Sequence, residues 1–398
     1  MKSSSASFIA TALIAVLLIA IHGRPAFSAT SAKADTVSTE KESFWSKFKD
    51  PEDGAFDLGH LISGGVGFVP ILVPITEPAV GFGLGGALLY IHPSKDAGLT
   101  NDGRRIPPSI SMLGGGVTEN GTWGAAVGHM GVWKQGKIRY LGGLLYADAN
   151  LEFYGTASGN GSSSSSVSWN VKAGGTLQKL QYQLRPGLFV GGKYLFLSTK
   201  NTLGIGNAAY DIPDAETESR LGGLGAGVMW DGRDNVFTPD KGLFGEISFT
   251  RFDNIFGGSF DYNRLDIAAF GYFEIGPVVL GTRIQGAATG EDAPFYALPF
   301  IIQRGIPVFR YLGRYAAMGE VEPRWKVTSR WSLVGFVGAG FIAQDLDGLF
   351  DAEAKVAGGG GFRYLLVRRL GMGIGIDVAR GPEETAFYII LGSYWRST

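Results

Sequence analysis

Cysteine is absent from the 398-residue chain. That removes disulfides, thiolate chemistry and a lipidated-cysteine anchor. Charge is sparse, at 18% of residues, and the formal net charge of −1 gives no ground for nucleic acid or a polyanion as partner. Past the first 28 residues the histidines are His60, His92 and His129. No Ser/His/Asp arrangement and no histidine cluster is discernible in their spacing, so neither an enzyme nor a metal or other cofactor is expected. After the leader, no uncharged apolar run is long enough for a helical membrane span.

What the chain does have is glycine. Its 62 glycines are about twice the usual ~7% share, and they show no collagen-like period. Mixed with 12% aromatics through short alternating runs, they point to a closed all-β structure. "GFGLGG" (81–86) and "GGGG" (358–361) do not open helices, so strand bending is preferred to phosphate binding.

The start reads as a secretory signal, 1–28. Lys2 precedes the apolar run "FIATALIAVLLIAI" (Phe8–Ile21), and small residues lead to a cut after Ser28. The alternative is a membrane anchor, but the run is about 14 residues where a spanning helix needs about 20. Residues 29–60 read as a polar, partly disordered periplasmic arm, too short for an ordinary globular domain.

Residues 61–398 alternate with period two. In "EVEPRWKV", Val321, Trp325 and Val327 oppose Glu320, Glu322, Arg324 and Lys326; in "GMGIGIDVARG", Ile374, Ile376 and Val378 oppose Asp377. "LGTRIQG" sets Leu280, Thr282 and Ile284 against Arg283 and Gln285, and "SVSWNVKAGG" sets Val167, Trp169, Val171 and Ala173 against Lys172. The expected fold is a transmembrane antiparallel β-barrel of about sixteen strands, among them 64–73, 164–177 and 180–200. Connections alternate between tight ("KQGK", "EIGP", "VTSRW", "VRRLG") and long, as an outer-membrane barrel requires, with Ser94–Pro107 as an exception on the tight side. The chain is therefore expected in the outer membrane of a Gram-negative bacterium, against lipid and lipopolysaccharide.

Several stretches carry a resemblance. "GVMWDGRDNVFTPDKGLF" (Gly227–Phe244), "QRGI" (Gln303–Ile306), "GEVEPRW" and "GGGGFRYLLVRRLGMGIGIDVARG" follow one another in the order of the bacterial surface antigen family, the BamA/TamA-type barrel superfamily. "PITEPAVGFGLGGALLY" resembles the first hairpin of its short members. The resemblance implies a role in protein or lipid assembly or translocation across the outer membrane. The family's assembly and secretion members carry POTRA domains, for which the stretch before this barrel is too short. A client polypeptide, or a periplasmic partner supplying a POTRA-like function, is the partner implied. A small-solute porin or a structural surface antigen is the alternative.

In the family the loop ending at the QRGI-like tip folds into the lumen. The resemblance therefore implies that Arg304, Gly305, Arg310 and Arg314 face inward, toward Glu320, Glu322, Arg324, Arg363 and Asp377. An Arg fork on a carboxylate in a partly dry lumen is much stronger than a surface pair. An exposed basic loop near lipopolysaccharide phosphates is the competing reading. The turn residues Asp231, Arg233, Asp234, Pro239 and Gly242 read as a structural Asx and Pro-Gly turn, with substrate contact the other option. Arg283, Lys326 and Lys172 either line a pore or are neutralised by internal pairs. Pro323 interrupts a strand where a ladder donor is expected.

Overall fold

The computed structural model describes residues 48–57, 59, 68–75, 80–92, 106, 108–154, 166–204, 215–307, 310–368 and 371–395. The leader, most of the arm and nearly all of 94–107 lie outside them.

Sixteen strands form one antiparallel sheet in sequence order. They are β1 (Phe68–Ile75), β2 (Gly83–Ile91), β3 (Ile110–Thr118), β4 (Trp123–Trp133), β5 (Ile138–Tyr154), β6 (Ser166–Arg185), β7 (Leu188–Gly204) and β8 (Ala215–Asp231). Then come β9 (Gly242–Phe252), β10 (Tyr262–Ile275), β11 (Val278–Thr289), β12 (Tyr315–Lys326), β13 (Trp331–Ala343), β14 (Lys355–Val367), β15 (Met372–Arg380) and β16 (Thr385–Leu391). Every strand pairs with its sequence neighbours, the up-and-down order of a transmembrane barrel. Among the described residues no ladder joins β16 to β1, so the seam lies between these two strands.

The two faces separate by parity. Ile247, Ile284, Val321, Trp325, Val337 and Ile376 stand exposed on the outside, while Glu246, Arg283, Glu320, Arg324 and Asp377 are buried inside. Exposed Trp133, Tyr182, Trp230, Phe273, Trp325 and Trp331 all sit near the tight-turn ends of their strands and form an aromatic girdle there. Their amphipathic rings suit a membrane–water boundary.

Two details of the sequence reading change. The turn expected between 177 and 180 is at Pro186–Gly187, so β6 runs on to Arg185. Gly187 takes φ 83°, which Pro-Gly provides and Leu177–Leu180 does not. Lys172 faces outward, where it pairs with Asp148 at 3.5 Å with its side chain 52% exposed. Val171 and Ala173 are the inward residues and are fully buried. The cause is strand length. β5 to β8 have 17 to 20 residues, well beyond the ~10 that cross a bilayer. Their long-loop halves stand clear of lipid, so charge faces out and apolar groups pack inward.

Pro323 sits in β12 opposite Leu280 of β11. On the β13 side the ladder passes from Val321↔Val337 to Arg324↔Val334 in unchanged register, skipping Glu322 and Pro323. The missing N–H thus costs a local gap and not a slip.

Candidate functional site: a plugged lumen

The β11–β12 connection turns into the barrel. Tyr296, Ala297 and Phe300 pack on inward Ala147, Val171, Leu197, Leu221, Phe252 and Tyr262 and fill the long-loop half of the lumen. Tyr296 Oη donates to Ser219 Oγ at 2.9 Å, and Arg264 Nη1 donates to Ala297 O at 2.8 Å. The loop is anchored on wall strands β8 and β10 before it reaches its tip.

At the tip, Arg304 is fully buried. Its Nη1 donates to Asp377 Oδ2 at 2.7 Å, and its Nη2 to Glu322 Oε2 at 2.6 Å and to Glu320 Oε1. Its guanidinium lies 3.5 Å from the Phe336 ring centre and 4.8 Å from that of Tyr394. Two flanking cations complete the balance. Arg283 Nη2 donates to Glu320 Oε2 at 3.1 Å, and Arg363 Nη2 to Asp377 Oδ2 at 2.8 Å. Three guanidiniums thus meet three carboxylates, with Glu320 and Asp377 each shared between two guanidiniums, as a buried charge cluster requires.

The backbone explains the QRGI tip. Gly305 has φ 88°, and a Cβ there would meet the Arg380 and Gly381 backbone at 3.0 Å. A Cβ on Gly381 would in turn sit 1.8 Å from Gly305 O. Two glycines therefore let the tip lie directly against the β15–β16 connection. Gln303 Nε2 donates to Ala357 O at 3.1 Å, and Gly305 N donates to Tyr388 Oη at 2.9 Å.

The structure separates the other two loop arginines from this centre. Arg310 pairs with Glu383 at 3.2 Å and Arg314 with Glu291 at 3.0 Å, all at the long-loop rim. The inward placement implied for them is corrected. Each has an acid beside it at the rim, where solvation is retained, so nothing draws it into the dry interior.

Arg324 and Lys326 belong to a different centre at the tight-turn end. Arg324 Nη2 donates to Pro239 O at 2.7 Å and Asp240 Oδ1 at 2.5 Å. Lys326 Nζ donates to Asp240 Oδ2 at 2.7 Å and Glu274 Oε1 at 2.8 Å. The Asp231–Gly242 turn forms the other side. Asp231 accepts from Arg233 at 2.9 Å and Arg139 at 3.1 Å. Asp234 Oδ1 accepts from the N–H groups of Asn235, Asp240 and Lys241. Gly242, at φ 107°, passes so close to Gly232 O that a Cβ would stand 2.3 Å from it. These residues build a turn and a wall contact, and Arg283 and Lys326 are both paired internally.

Sequence reasoning gave neither Trp395 nor the arm a place in the site. Trp395 follows Gly392 (φ 73°), which turns the chain end inward after β16. Its ring packs against Phe270 and Tyr272, and its Nε1 donates to Glu320 Oε1 at 2.9 Å. An aromatic near the end of the last strand was the visible signal, but not its inward turn.

The arm segment 48–57 closes on itself and clips to the tight-turn end. A bridge links Lys49 and Phe56, and the Phe48 and Phe56 rings stack at 5.9 Å. Arg330, in the β12–β13 turn, reaches Asp50, Asp53 and Asp57, each at 2.6 Å. Arg368, after β14, meets Asp50 at 3.1 Å and also Glu52 and Asp53. Hydrogen bonding from Arg330 holds the Asp53 carboxyl well below the ordinary carboxylate range.

No protein-family model matches the chain, and no curated protein sequence matches it. Solved structures do. BamA from Haemophilus ducreyi lacking POTRA domains 1–3 superposes with a TM-score of 0.55 at 12% identity, covering 82% of this chain and 70% of that one. CdiB from Escherichia coli gives a TM-score of 0.57 at 11% identity, covering 80% of this chain and 61% of that one. The chain thus spans less than two thirds of the length of CdiB. At this identity the likeness carries the architecture, and the protein has the barrel fold of BamA and CdiB.

Proposed function

We propose that the protein is an outer-membrane barrel of the surface antigen type that acts in the assembly or translocation of a polypeptide or lipid, with its lumen closed at rest by the 290–314 loop. In this reading it resides in a Gram-negative outer membrane after removal of residues 1–28. The tight turns and the arm face the periplasm, and the long loops face lipopolysaccharide. Its substrate is a client chain or lipid, delivered by a periplasmic partner that supplies what POTRA domains supply elsewhere in the superfamily.

The observation that carries this reading is the Arg304 lock. A fully buried arginine on a loop tip, held by carboxylates from β12 and β15, is a removable plug more than a piece of wall. A diffusion pore has no need of such a lock. Planar-bilayer recording tests it. The intact chain should show low, flickering conductance, and Arg304→Ala should raise both the open fraction and the unitary conductance. A large, steady conductance in the intact chain, unchanged by Arg304→Ala, would support a small-solute pore and end this proposal.

A further inference from the structure

Three polar side chains meet on the outer, lipid-facing side of the barrel, although their spacing in sequence shows no cluster. Ser111 of β3 and His129 of β4 are direct ladder partners, and His92 follows β2 with its N–H donating to Ser109 O at 2.9 Å. Ser111 Oγ lies 2.8 Å from His92 Nε2 and 2.9 Å from His129 Nδ1. The three residues share outward parity with exposed Leu88, Leu113, Val127 and Trp133. His129 lies four residues, two repeats of the pleat, from Trp133 of the tight-turn aromatic girdle. The Tyr90 ring stands 4.8 Å from His92, and the Trp133 and Tyr140 rings stand 6.3 Å and 6.1 Å from His129.

Polar groups on the lipid face of a barrel are unfavourable unless they are satisfied. Here the inner nitrogens are satisfied by Ser111. The outer ones, His92 Nδ1 and His129 Nε2, have no partner among the described residues. A serine hydroxyl has one proton, so with both rings neutral the chain of donors runs one way. One imidazole N–H donates to Ser111 Oγ, and the Ser111 O–H donates to the other ring. One outer nitrogen is then a donor and the other a bare acceptor. A single added proton makes both outer nitrogens donors and gives the cluster a positive charge.

Two N–H donors with one positive charge, at the level of a membrane boundary, match the two anionic oxygens of a phosphodiester. Exposed Lys134 and Lys137 on the adjoining β4–β5 turn add positive charge on the aqueous side. The other titratable groups facing the cluster are Tyr90 from β2 and Tyr140 from β5, and among the described residues no carboxylate bonds to it. Ester hydrolysis fits less well. The strand N–H groups beside Ser111 are taken by ladders on both sides, which leaves no oxyanion donors.

We propose that His92, Ser111 and His129 form a proton-coupled site for the phosphate of a phospholipid headgroup in the leaflet at the tight-turn end. The assignment to the periplasmic leaflet rests on the orientation given under the proposed function; the site itself does not.

The test uses the full chain in maltoside micelles, with heat-modified mobility as the check on folding. Native mass spectrometry reads retention of dioleoylphosphatidylglycerol at pH 6 and pH 8, with dioleoylglycerol and inorganic phosphate as comparisons. Retention should be stronger at pH 6 than at pH 8, by at most about a hundredfold, since one linked proton permits at most about tenfold per pH unit. The H92Q/H129Q double variant should lose that difference, and Ser111→Ala should reduce it. An unchanged pH difference in a folded double variant overturns the site. Equal retention of dioleoylglycerol does the same, and competition by inorganic phosphate at matched concentration overturns the lipid as its source. The double variant should keep wild-type conductance, so failure here and failure of the plugged-lumen reading are separate results.

Discussion

Arg304 and Arg330 each gather three carboxylates, one cluster deep in the lumen and the other open to solvent on one side. Arg304 sits in the lumen with no exposure, between aromatic rings, and two of its acids, Glu320 and Asp377, are also fully covered. Arg330 and its partners Asp50 and Asp57 are buried too, but its third partner Asp53 is 24% exposed and the neighbouring Arg368 is 26% exposed at the barrel's tight-turn mouth. The same ion-pair count therefore means different things. In the lumen, removing one member strands charge away from water, which is strongly unfavourable. At the mouth, water and salt take over much of the lost interaction.

Mutation is the sharpest way to test that contrast. Arg304→Ala should destabilise the barrel by about 3–5 kcal/mol, the usual result of orphaning a buried charge. It should be read as lost heat-modified mobility at a lower temperature, and the Glu320→Gln/Asp377→Asn background should recover part of the loss. Arg330→Ala should leave the barrel's melting nearly unchanged. Instead it should free residues 48–57, making them cleavable by added protease, with release of the intact clip promoted by high salt. If both variants melt alike, the contrast in burial does not matter.

pH provides a second break. The folded Asp53 carboxyl titrates below its ordinary value, so its contribution is complete above the unfolded value near 4 and is lost as pH falls below that. Arm protection should be flat from pH 8 to 5 and disappear only in stronger acid. A loss already at pH 6 would contradict the assignment. Trp395→Phe keeps the ring and removes the hydrogen bond to Glu320, so a loss of about 1 kcal/mol is expected. Lys172→Ala should be the mildest, within about 0.5 kcal/mol and without effect on conductance, because its pair with Asp148 is outside and solvated.

Legibility followed the same division. The wall was readable because a strand exposes parity directly: Glu320, Arg324, Arg363 and Asp377 are inward as alternation predicts. The reading failed where surroundings changed along a single strand. In β6 the outside changes from lipid to water, so Lys172 and Val171 exchanged the faces their polarity suggested. It failed again where partners came from remote segments. Glu383, 73 residues on, holds Arg310 at the rim, and nothing in the loop signals it, whereas Arg314 is held by Glu291 from the other end of its own loop. The arm clip joins an acidic turn to arginines far along the chain, a relation no local pattern encodes. The inward loop tip came from family resemblance, and periodicity alone would have left it an exposed basic loop.

The separation of these contacts in sequence has a consequence for how the barrel is made. Hairpin ladders form between neighbours, whereas Arg304 must wait for Asp377, 73 residues later, and Arg330 meets Asp50 across 280 residues. Contacts of such long range come late in folding. Trp395, from the very end of the described chain, then closes over Glu320. The lumen lock and the clip thus act as marks of completion: a truncated or half-assembled barrel has every hairpin it has made so far, but it cannot shut.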